Sequence, residues 1–248
     1  MKNTATAFAP FKFIRSALAC SILLPLLGCG GGSSSAPSFS ISALQGRWAT
    51  ETSANPGYTA IVMANAPANM SAAAWVLAQD GSSLEALTIE SDGKTNGRYY
   101  SFKGLMPSVI AGITKQELSV TPLKLTLPGP TAAPLELKAV DALTGASRYA
   151  DAAGAWQGAL DVGQKTVSWS IGASGAIAGA SSTGCVYSGS LSALSHVKAF
   201  YAVFSESCSD GTANGFTGVA TVSSDSTRLT VAAEANDKSK AMVLLLGK

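Results

Sequence analysis

Apolar and polar residues alternate one by one in several short stretches of this chain, which predicts β-strands with one face in a core. Residues 123–127 and 135–139 alternate on either side of a Pro-Gly-Pro break, which predicts a hairpin with a wide turn. Residues 167–171 and 216–222 show the same pattern. The run 199–204 is apolar throughout, which predicts a central strand covered on both faces.

A second fully apolar run, residues 242–246, predicts another covered strand. No stretch after residue 28 combines a helical apolar period with convincing caps. The Ala-rich residues 64–74 include Pro67 and two asparagines, so a loop with at most one helical turn is expected there. The predicted fold class is therefore all-β.

Internal similarity predicts two modules. Residues 91–97 (SDGKTNG) and 209–215 (SDGTANG) agree at five of seven positions, and Gly-x-Trp occurs twice, at residues 46–48 and 154–156. Trp75 and Trp169 each stand six residues before a glycine. We expect two related antiparallel β-barrel or sandwich modules, with a boundary within residues 142–154. The expected ranges are residues 41–145 and residues 146–248. The alternative is coincidence, because Asp-Gly and Asn-Gly are common hairpin turns.

The first 28 residues have the parts of an export signal. Lys2, Lys12 and Arg15 form a basic start without an acidic residue, and residues 17–28 are apolar. These twelve residues, interrupted by Pro25, are too few to span a bilayer, which needs roughly 20. Removal of the signal leaves 14 basic against 15 acidic residues, a formal charge of −1. This balance argues against nucleic acid as a partner.

The segment Leu26-Leu27-Gly28-Cys29 resembles the lipobox of bacterial lipoproteins. The resemblance implies cleavage after Gly28, diacylglycerol on the sulfur of Cys29 and a further acyl chain, such as palmitate, on the new N-terminus. By the family's sorting rule, glycine at position 30 implies the outer membrane. Several acyl chains anchor a protein stably, so the bilayer is the expected partner of Cys29. Residues 29–40 are expected to form a flexible Gly/Ser linker.

Two cysteines remain for the folded part. Cys20 lies in the signal and Cys29 is expected to be acylated, which leaves Cys185 and Cys208 as an even pair in an oxidising compartment. We expect a disulfide, worth about 3 kcal/mol in the chain-entropy model. The alternatives are a redox pair or a metal site, although redox pairs usually have C-x-x-C spacing and metal sites need more ligands.

The C-terminal half carries a series of short glycine motifs. They are Trp156-Gln157-Gly158, residues 175–179 (GAIAG), residues 184–189 (GCVYSG), Cys208 and residues 216–220 (FTGVA). This series resembles an uncharacterised group of two-module all-β proteobacterial lipoproteins. The resemblance covers residues 150–248 and, more weakly, residues 44–104. It implies that Cys185 and Cys208 are paired, and it implies no activity.

Candidate catalytic groups are few. His196 is the single histidine and lies in a polar stretch without a Gly-x-Ser-x-Gly elbow, so an exposed loop histidine is expected rather than a catalytic base. Glu85 and Glu90 are an odd number of residues apart, which places them on opposite faces of one strand. We expect solvated carboxylates there rather than a glycosidase pair with Asp92.

Metal sites are not predicted either. One histidine and two cysteines are too few for a zinc shell, and no segment has the ligand spacing of a calcium loop. Asp92 and Asp210 stand before glycine, where aspartate is expected because it favours the turn backbone. No metal and no cofactor is therefore expected.

Four tryptophans, Trp48, Trp75, Trp156 and Trp169, could form a sugar-stacking platform or line a ligand cavity. Packing in the core is favoured, because an indole on a β-face buries a large area. A Gly-x-Trp start also resembles that of lipocalins, in which the tryptophan closes the base of the barrel.

These observations predict a non-enzymatic envelope lipoprotein that binds a protein or glycan partner or has a structural role. The alternative is a lipocalin-like carrier of a small apolar ligand, which requires a hollow barrel. An enzyme is the third possibility.

Overall fold

The computed structural model describes residues 39–51, 57–64, 70–103, 107–117, 120–130, 133–160 and 165–248. Cys29, the signal 1–28 and most of the predicted linker lie outside these ranges. The described residues belong to one compact unit and form two antiparallel, barrel-like sheets, so the predicted all-β class is confirmed. Among the described residues, no helix is long and apolar enough to cross a bilayer.

The first sheet, which we call the N-terminal sheet, contains nine strands in the order β6-β5-β4-β3-β2-β1-β9-β8-β7. A 3₁₀ turn, Ser42–Leu44, precedes it. The strands are β1 Gly46–Ala49, β2 Tyr58–Ala64, β3 Ser71–Ala78, β4 Ser83–Glu90, β5 Lys94–Ser101, β6 Ser108–Ile113, β7 Lys115–Glu117, β8 Lys124–Leu127 and β9 Leu135–Asp141. The predicted hairpin across the Pro-Gly-Pro break is the β8–β9 pair, and that prediction is confirmed.

The two edge strands of this sheet are consecutive in the chain. One residue, Thr114, separates β6, which pairs with β5, from β7, which pairs with β8, so the chain bends there between the two edges of the sheet. Thr114 is buried, its hydroxyl lies 2.5 Å from the hydroxyl of Thr95, and its N–H donates to the carbonyl of Gly93 at 2.8 Å. These bonds hold the bend that curls the sheet into its barrel-like form.

The second sheet, which we call the C-terminal barrel, is a closed eight-stranded barrel in which each strand pairs with the next and β10 pairs with β17. A one-turn helix, α1 Tyr149–Ala152, precedes it. The strands are β10 Gly154–Leu160, β11 Lys165–Ile171, β12 Ala176–Ser181, β13 Cys185–Ala193, β14 Phe200–Cys208, β15 Ala213–Val222, β16 Arg228–Ala235 and β17 Ala241–Gly247. The change from one sheet to the other falls between Asp141 and Gly154.

Four glycines of the C-terminal motifs lie on strands and face the barrel interior. Gly158, Gly179, Gly189 and Gly218 share the side of their strands that carries the core residues. A Cβ on any of them would lie 2.0–2.3 Å from an atom of the neighbouring strand. Strands coil sharply where a side chain is absent, and such coiling is needed to close a small barrel. These four glycines are therefore explained by barrel closure, whereas Gly175 and Gly184 lie in turns with φ of +86° and +81°.

The two Gly-x-Trp motifs occupy equivalent places. Trp48 donates its indole N–H to the carbonyl of Leu44 at 2.8 Å, and Trp156 donates to the carbonyl of Ala152 at 2.7 Å. In each case the acceptor lies four residues back, in the short helical turn that precedes the first strand. The two indoles are buried. For the two Gly-x-Trp motifs, the predicted internal similarity therefore corresponds to equivalent positions in the structure.

The other repeated features are not equivalent. The turn within residues 91–97 joins the fourth and fifth strands of its sheet, whereas the turn within residues 209–215 joins the fifth and sixth strands of the barrel. Trp75 lies on the third strand and Trp169 on the second. The two turns match because an Asp-Gly turn is stabilised by the aspartate side chain. The Asp92 carboxylate accepts a hydrogen bond from the backbone N–H of Lys94 at 2.9 Å, and the Asp210 carboxylate accepts one from that of Thr212 at 2.8 Å.

The prediction that residues 199–204 are covered on both faces is wrong. In β14 the residues alternate: Phe200, Ala202 and Phe204 are buried in the barrel, whereas Tyr201 and Val203 are 44% and 43% exposed. The run is apolar because its outward positions are apolar too. The prediction of a fully covered strand at residues 242–246 is wrong in the same way, since Leu245 is exposed although its neighbours are buried.

Two further predictions have defined outcomes. Within the Ala-rich stretch 64–74, Ala64 ends β2 and residues 71–74 belong to β3, so the predicted loop is wrong there, while residues 65–69 lie outside the described ranges. The disulfide is confirmed: Cys185 and Cys208 are direct partners across β13 and β14, and their sulfurs are bonded.

The outer face of the N-terminal sheet packs against the outer wall of the C-terminal barrel. Leu77, Leu84 and Tyr100 are register partners across β3, β4 and β5 and form one row on the sheet. A corresponding row crosses β15, β16 and β17 of the barrel and consists of Val219, Ala232 and Val243. The two rows belong to one buried apolar cluster. This contact holds the two sheets together.

Candidate functional site

A groove runs along the edge of the contact between the two sheets. Its floor is the next row of the N-terminal sheet, in which Trp75, Ala86, Arg98 and Val109 are register partners across β3 to β6. This row lies two residues, roughly 6.8 Å, from the buried row of Leu77, Leu84 and Tyr100. The floor is thus placed directly beside the buried contact.

The hairpin between β16 and β17 forms one wall of the groove and contributes Glu234 and Lys238. Thr88 and Asn96, which pair with each other one row further out, extend the floor. The groove has a volume of about 290 Å³. This lies just below the range for small-molecule sites, roughly 300–1,000 Å³.

The floor has a gap at its centre. Ala86 lies between Trp75 and Arg98, and its methyl group fills little of the space between the indole and the guanidinium. Two strand spacings separate the outer two residues, roughly 9–10 Å between backbones. The arrangement therefore presents an aromatic face and a cation on opposite sides of a small depression.

Several polar groups of the groove lack partners within the protein. The indole N–H of Trp75 is buried and has no hydrogen-bond acceptor among the described residues. The guanidinium of half-buried Arg98 makes no ion pair or hydrogen bond with the described part of the chain. A buried donor without an acceptor is unfavourable, and an unpaired guanidinium retains its full capacity for a bidentate acceptor. The guanidinium is therefore available to a ligand, whereas the indole N–H is enclosed, like that of Trp169 in the barrel core.

Glu234 is held in place from the sheet. The hydroxyl of Tyr100 donates to Oε1 of Glu234 and also lies 3.2 Å from the carbonyl of Lys238. Burial, with the neighbouring Glu234 carboxylate, raises the pKa of Tyr100, so this phenol stays a donor. The second oxygen of Glu234 has no partner among the described residues and can accept a hydrogen bond.

The prediction of core packing for the tryptophans is confirmed for three of them. Trp48, Trp156 and Trp169 are at most 2% exposed. For Trp75 the prediction holds in part: it packs against the apolar cluster between the sheets, but it is only half-buried and also lines the groove. Of the four indoles, it is the one that a ligand in solvent can reach.

Aromatic side chains occupy the interior of the C-terminal barrel. Trp169 meets Phe204 edge-on at 5.0 Å between ring centres, and Phe204 stacks on Phe216 at 5.2 Å. Tyr187 lies 6.0 Å from Trp169 and 6.5 Å from Phe204. These rings belong to one buried cluster inside the barrel. The packing does not favour a carrier that would hold an apolar ligand there.

A network around a buried carboxylate covers one end of the barrel interior. Glu206 accepts hydrogen bonds from the hydroxyl of Tyr187 at 3.0 Å and the amide of Asn214 at 3.2 Å, and pairs with Lys240 at 3.0 Å. Among the described residues, Glu206 and the two cysteine sulfurs form a group close enough to bind one metal ion. The sulfurs are joined in the disulfide, which removes them as thiolate ligands.

His196 is exposed, as predicted, and its backbone carbonyl accepts a 3.4 Å hydrogen bond from the side chain of Gln45. The structure brings no carboxylate pair together from Glu85, Glu90 and Asp92. Glu90 and Asp92 are exposed, and Glu85 points into the N-terminal sheet, so the prediction of opposite faces is confirmed.

The prediction of a solvated Glu85 is wrong. Its side chain is 0% exposed, on the same face of β4 as the core residues Leu87 and Ile89. Neither carboxyl oxygen has a hydrogen-bond partner within the part of the chain that the structure describes. Burial raises the pKa of Glu85 to about 8. The residue is therefore a neutral acid at pH 7, and its position within the core carries a cost that grows with pH.

Sequence reasoning missed Arg98, Glu234, Lys238 and Asn96. The available signal was the alternation in β5, where Asn96, Arg98 and Tyr100 share one face. Glu234 and Lys238 could not be found in this way, because the packing of the two sheets brings them to the groove from more than 130 residues away.

Comparison with protein-family models, with curated proteins and with solved structures gives no match for this chain.

The substitution Glu85→Gln is expected to stabilise the protein increasingly as pH rises. The folded pKa lies above the unfolded value of 4.5, so the wild type is most stable below pH 4.5 and loses stability up to about pH 8. Glutamine resembles the neutral acid and does not titrate. The gain in free energy of unfolding should be small at pH 4 and on the order of 3 kcal/mol at pH 7.

Urea unfolding at a series of pH values measures this gain. Glu90→Gln is the control, because Glu90 is exposed on the same strand and should change stability by less than about 0.5 kcal/mol. A difference between Glu85→Gln and wild type that stays constant from pH 4 to pH 8 would contradict the assignment.

Proposed function

We propose that this protein is a non-catalytic binding protein of the bacterial cell envelope, anchored to the outer membrane by acyl chains on Cys29, that takes a polar ligand in the groove between its two sheets. The observation that carries the binding role is the groove itself. Its floor offers the reachable indole of Trp75 and the unpaired guanidinium of Arg98, and its wall offers a free oxygen of Glu234.

The composition of the groove supports binding rather than structural packing. The guanidinium of half-buried Arg98 carries this argument, because it has no acceptor among the described residues and lines the groove. Small pockets that combine an apolar surface with a few directed polar groups are typical of ligand sites. Of the two partner classes expected from the sequence, protein or glycan, this small polar groove favours a glycan.

The anchor is supported by the lipobox-like segment Leu26-Leu27-Gly28-Cys29. The Gly/Ser-rich residues 30–38 that follow would act as a flexible tether. A tethered binding protein keeps its ligand near the membrane, because the tether holds the binding site at a high local concentration there.

Labelling with an alkyne analogue of palmitate in the bacterium tests the anchor. Wild type should carry the label and sediment with outer membranes, and Cys29→Ser should lose both properties. Cys20→Ser is the matched control, because Cys20 lies within the predicted signal and should leave labelling unchanged. Label retained in Cys29→Ser, or absent from wild type, would contradict the anchor.

Tryptophan fluorescence tests the groove, since Trp75 is the indole that solvent reaches. In a panel of saccharides and small carboxylates, at least one compound should change the emission of wild type with saturation. Ala86→Leu fills the depression and should weaken that binding at least tenfold. The control Ala178→Leu, at an exposed outward position of β12, should bind as wild type does.

Two results would contradict the proposal: no compound of the panel binds, or a compound binds equally well to Ala86→Leu and wild type. Circular dichroism of each variant separates loss of binding from loss of fold.

A further inference from the structure

We infer that the ligand of the groove is a saccharide bearing one carboxylate, whose sugar ring packs on the indole of Trp75 while its carboxylate pairs with Arg98. This inference rests on the proposed binding function and specifies the ligand class of that site.

The unpaired guanidinium selects the charged group. Arg98 is half-buried and has no acidic partner among the described residues. A guanidinium presents its donors in a planar fork that fits a carboxylate or a phosphate through two parallel hydrogen bonds. An anionic group on the ligand would complete this pair.

The net charge of the groove favours a ligand that carries a single negative charge. Arg98 on the floor contributes one positive charge, and the hairpin wall contributes the positive charge of Lys238 and the negative charge of Glu234. A monoanion balances the remaining positive charge. A phosphate monoester carries close to two negative charges at neutral pH and would lie near the Glu234 carboxylate, which repels it. Carboxylate is therefore the better match.

The rest of the groove suits a hydroxylated ring rather than an apolar acid. The indole of Trp75 offers a flat apolar surface on which the C–H face of a sugar can pack. Around it stand groups that bind hydroxyls: the second oxygen of Glu234 as an acceptor, the amide of Asn96 and the hydroxyl of Thr88. Thr88 and Asn96 are exposed, and none of the three groups has a side-chain partner among the described residues, so each can bind a ligand hydroxyl in place of water.

The spacing fits one ring. The backbones of Trp75 and Arg98 are two strands apart, and Ala86 between them leaves the intervening floor open. A sugar that packs on the indole can direct an equatorial carboxylate across this floor toward the guanidinium. The volume of about 290 Å³ leaves room for one or two rings and no more.

Two probes that differ at one group test the inference. Methyl glucuronide and methyl glucoside share their ring and hydroxyls, but the first carries a carboxylate where the second carries a hydroxymethyl group. Titration of wild type, followed by isothermal calorimetry or ligand-detected NMR, should show that the glucuronide binds about tenfold to a hundredfold more tightly. Added salt should reduce this preference.

Arg98→Gln should reduce the preference to within about twofold and leave the weak binding of the glucoside unchanged. The matched control is Arg228→Gln, which removes the same charge from an exposed position on β16 outside the groove and should keep the preference. Trp75→Leu should weaken both probes by a similar factor, because it removes the packing surface and leaves the guanidinium.

The outcomes distinguish failure of the assigned ligand class from failure of the proposed binding function. Equal binding of both probes, a preference that survives Arg98→Gln, or binding of inorganic phosphate in place of the glucuronide would overturn the carboxylate assignment and leave the groove as a binding site. Failure of both probes, with another compound whose binding is lost in Ala86→Leu, would overturn the ligand class alone. No ligand at all in the groove would overturn the proposed function.

Discussion

The arrangement of the two sheets and the position of the groove both depend on the apolar contact between the sheets. The row of Leu77, Leu84 and Tyr100 on the N-terminal sheet packs in one cluster with the row of Val219 and Val243 on the barrel. A curved β-sheet with apolar side chains on both faces must cover both. The N-terminal sheet covers its inner face by curling on itself, and it covers its outer face with the wall of the barrel.

This contact also creates the groove. The sheet and the barrel curve away from each other at the edge of the buried rows, and the next row of the sheet then forms a floor beside the β16–β17 hairpin. The hydrogen bond from Tyr100 to Glu234 lies at this edge and ties the hairpin to the sheet. Loss of the contact would therefore remove the site as well as the packing, because Trp75 and Glu234 are brought together by nothing else in the fold that we describe.

The sequence predicted the fold class, the β8–β9 hairpin and the disulfide, because each depends on local alternation or on simple counting of cysteines. Prediction from the sequence failed where one face of a strand is covered by a distant part of the chain. The apolar runs in β14 and β17 look alike in sequence, yet Val203 is exposed and Val243 is buried, since the N-terminal sheet covers one wall of the barrel and leaves the other. The prediction that Glu85 is solvated failed for a related reason. Its charge suggests solvent exposure, but the alternation of β4 places its side chain on the core face.

The most direct test of this account compares two positions of one strand. Val243 and Leu245 both point outward from β17, but Val243 is 8% exposed at the contact and Leu245 is 47% exposed. Hydrogen exchange during urea unfolding, resolved by peptide, measures whether the sheets unfold together. Val243→Asp should lower stability by on the order of 3 kcal/mol and let the N-terminal sheet exchange before the barrel, because it buries a charge in the contact. Leu245→Asp should leave one joint transition. An unchanged joint transition in Val243→Asp would contradict the account.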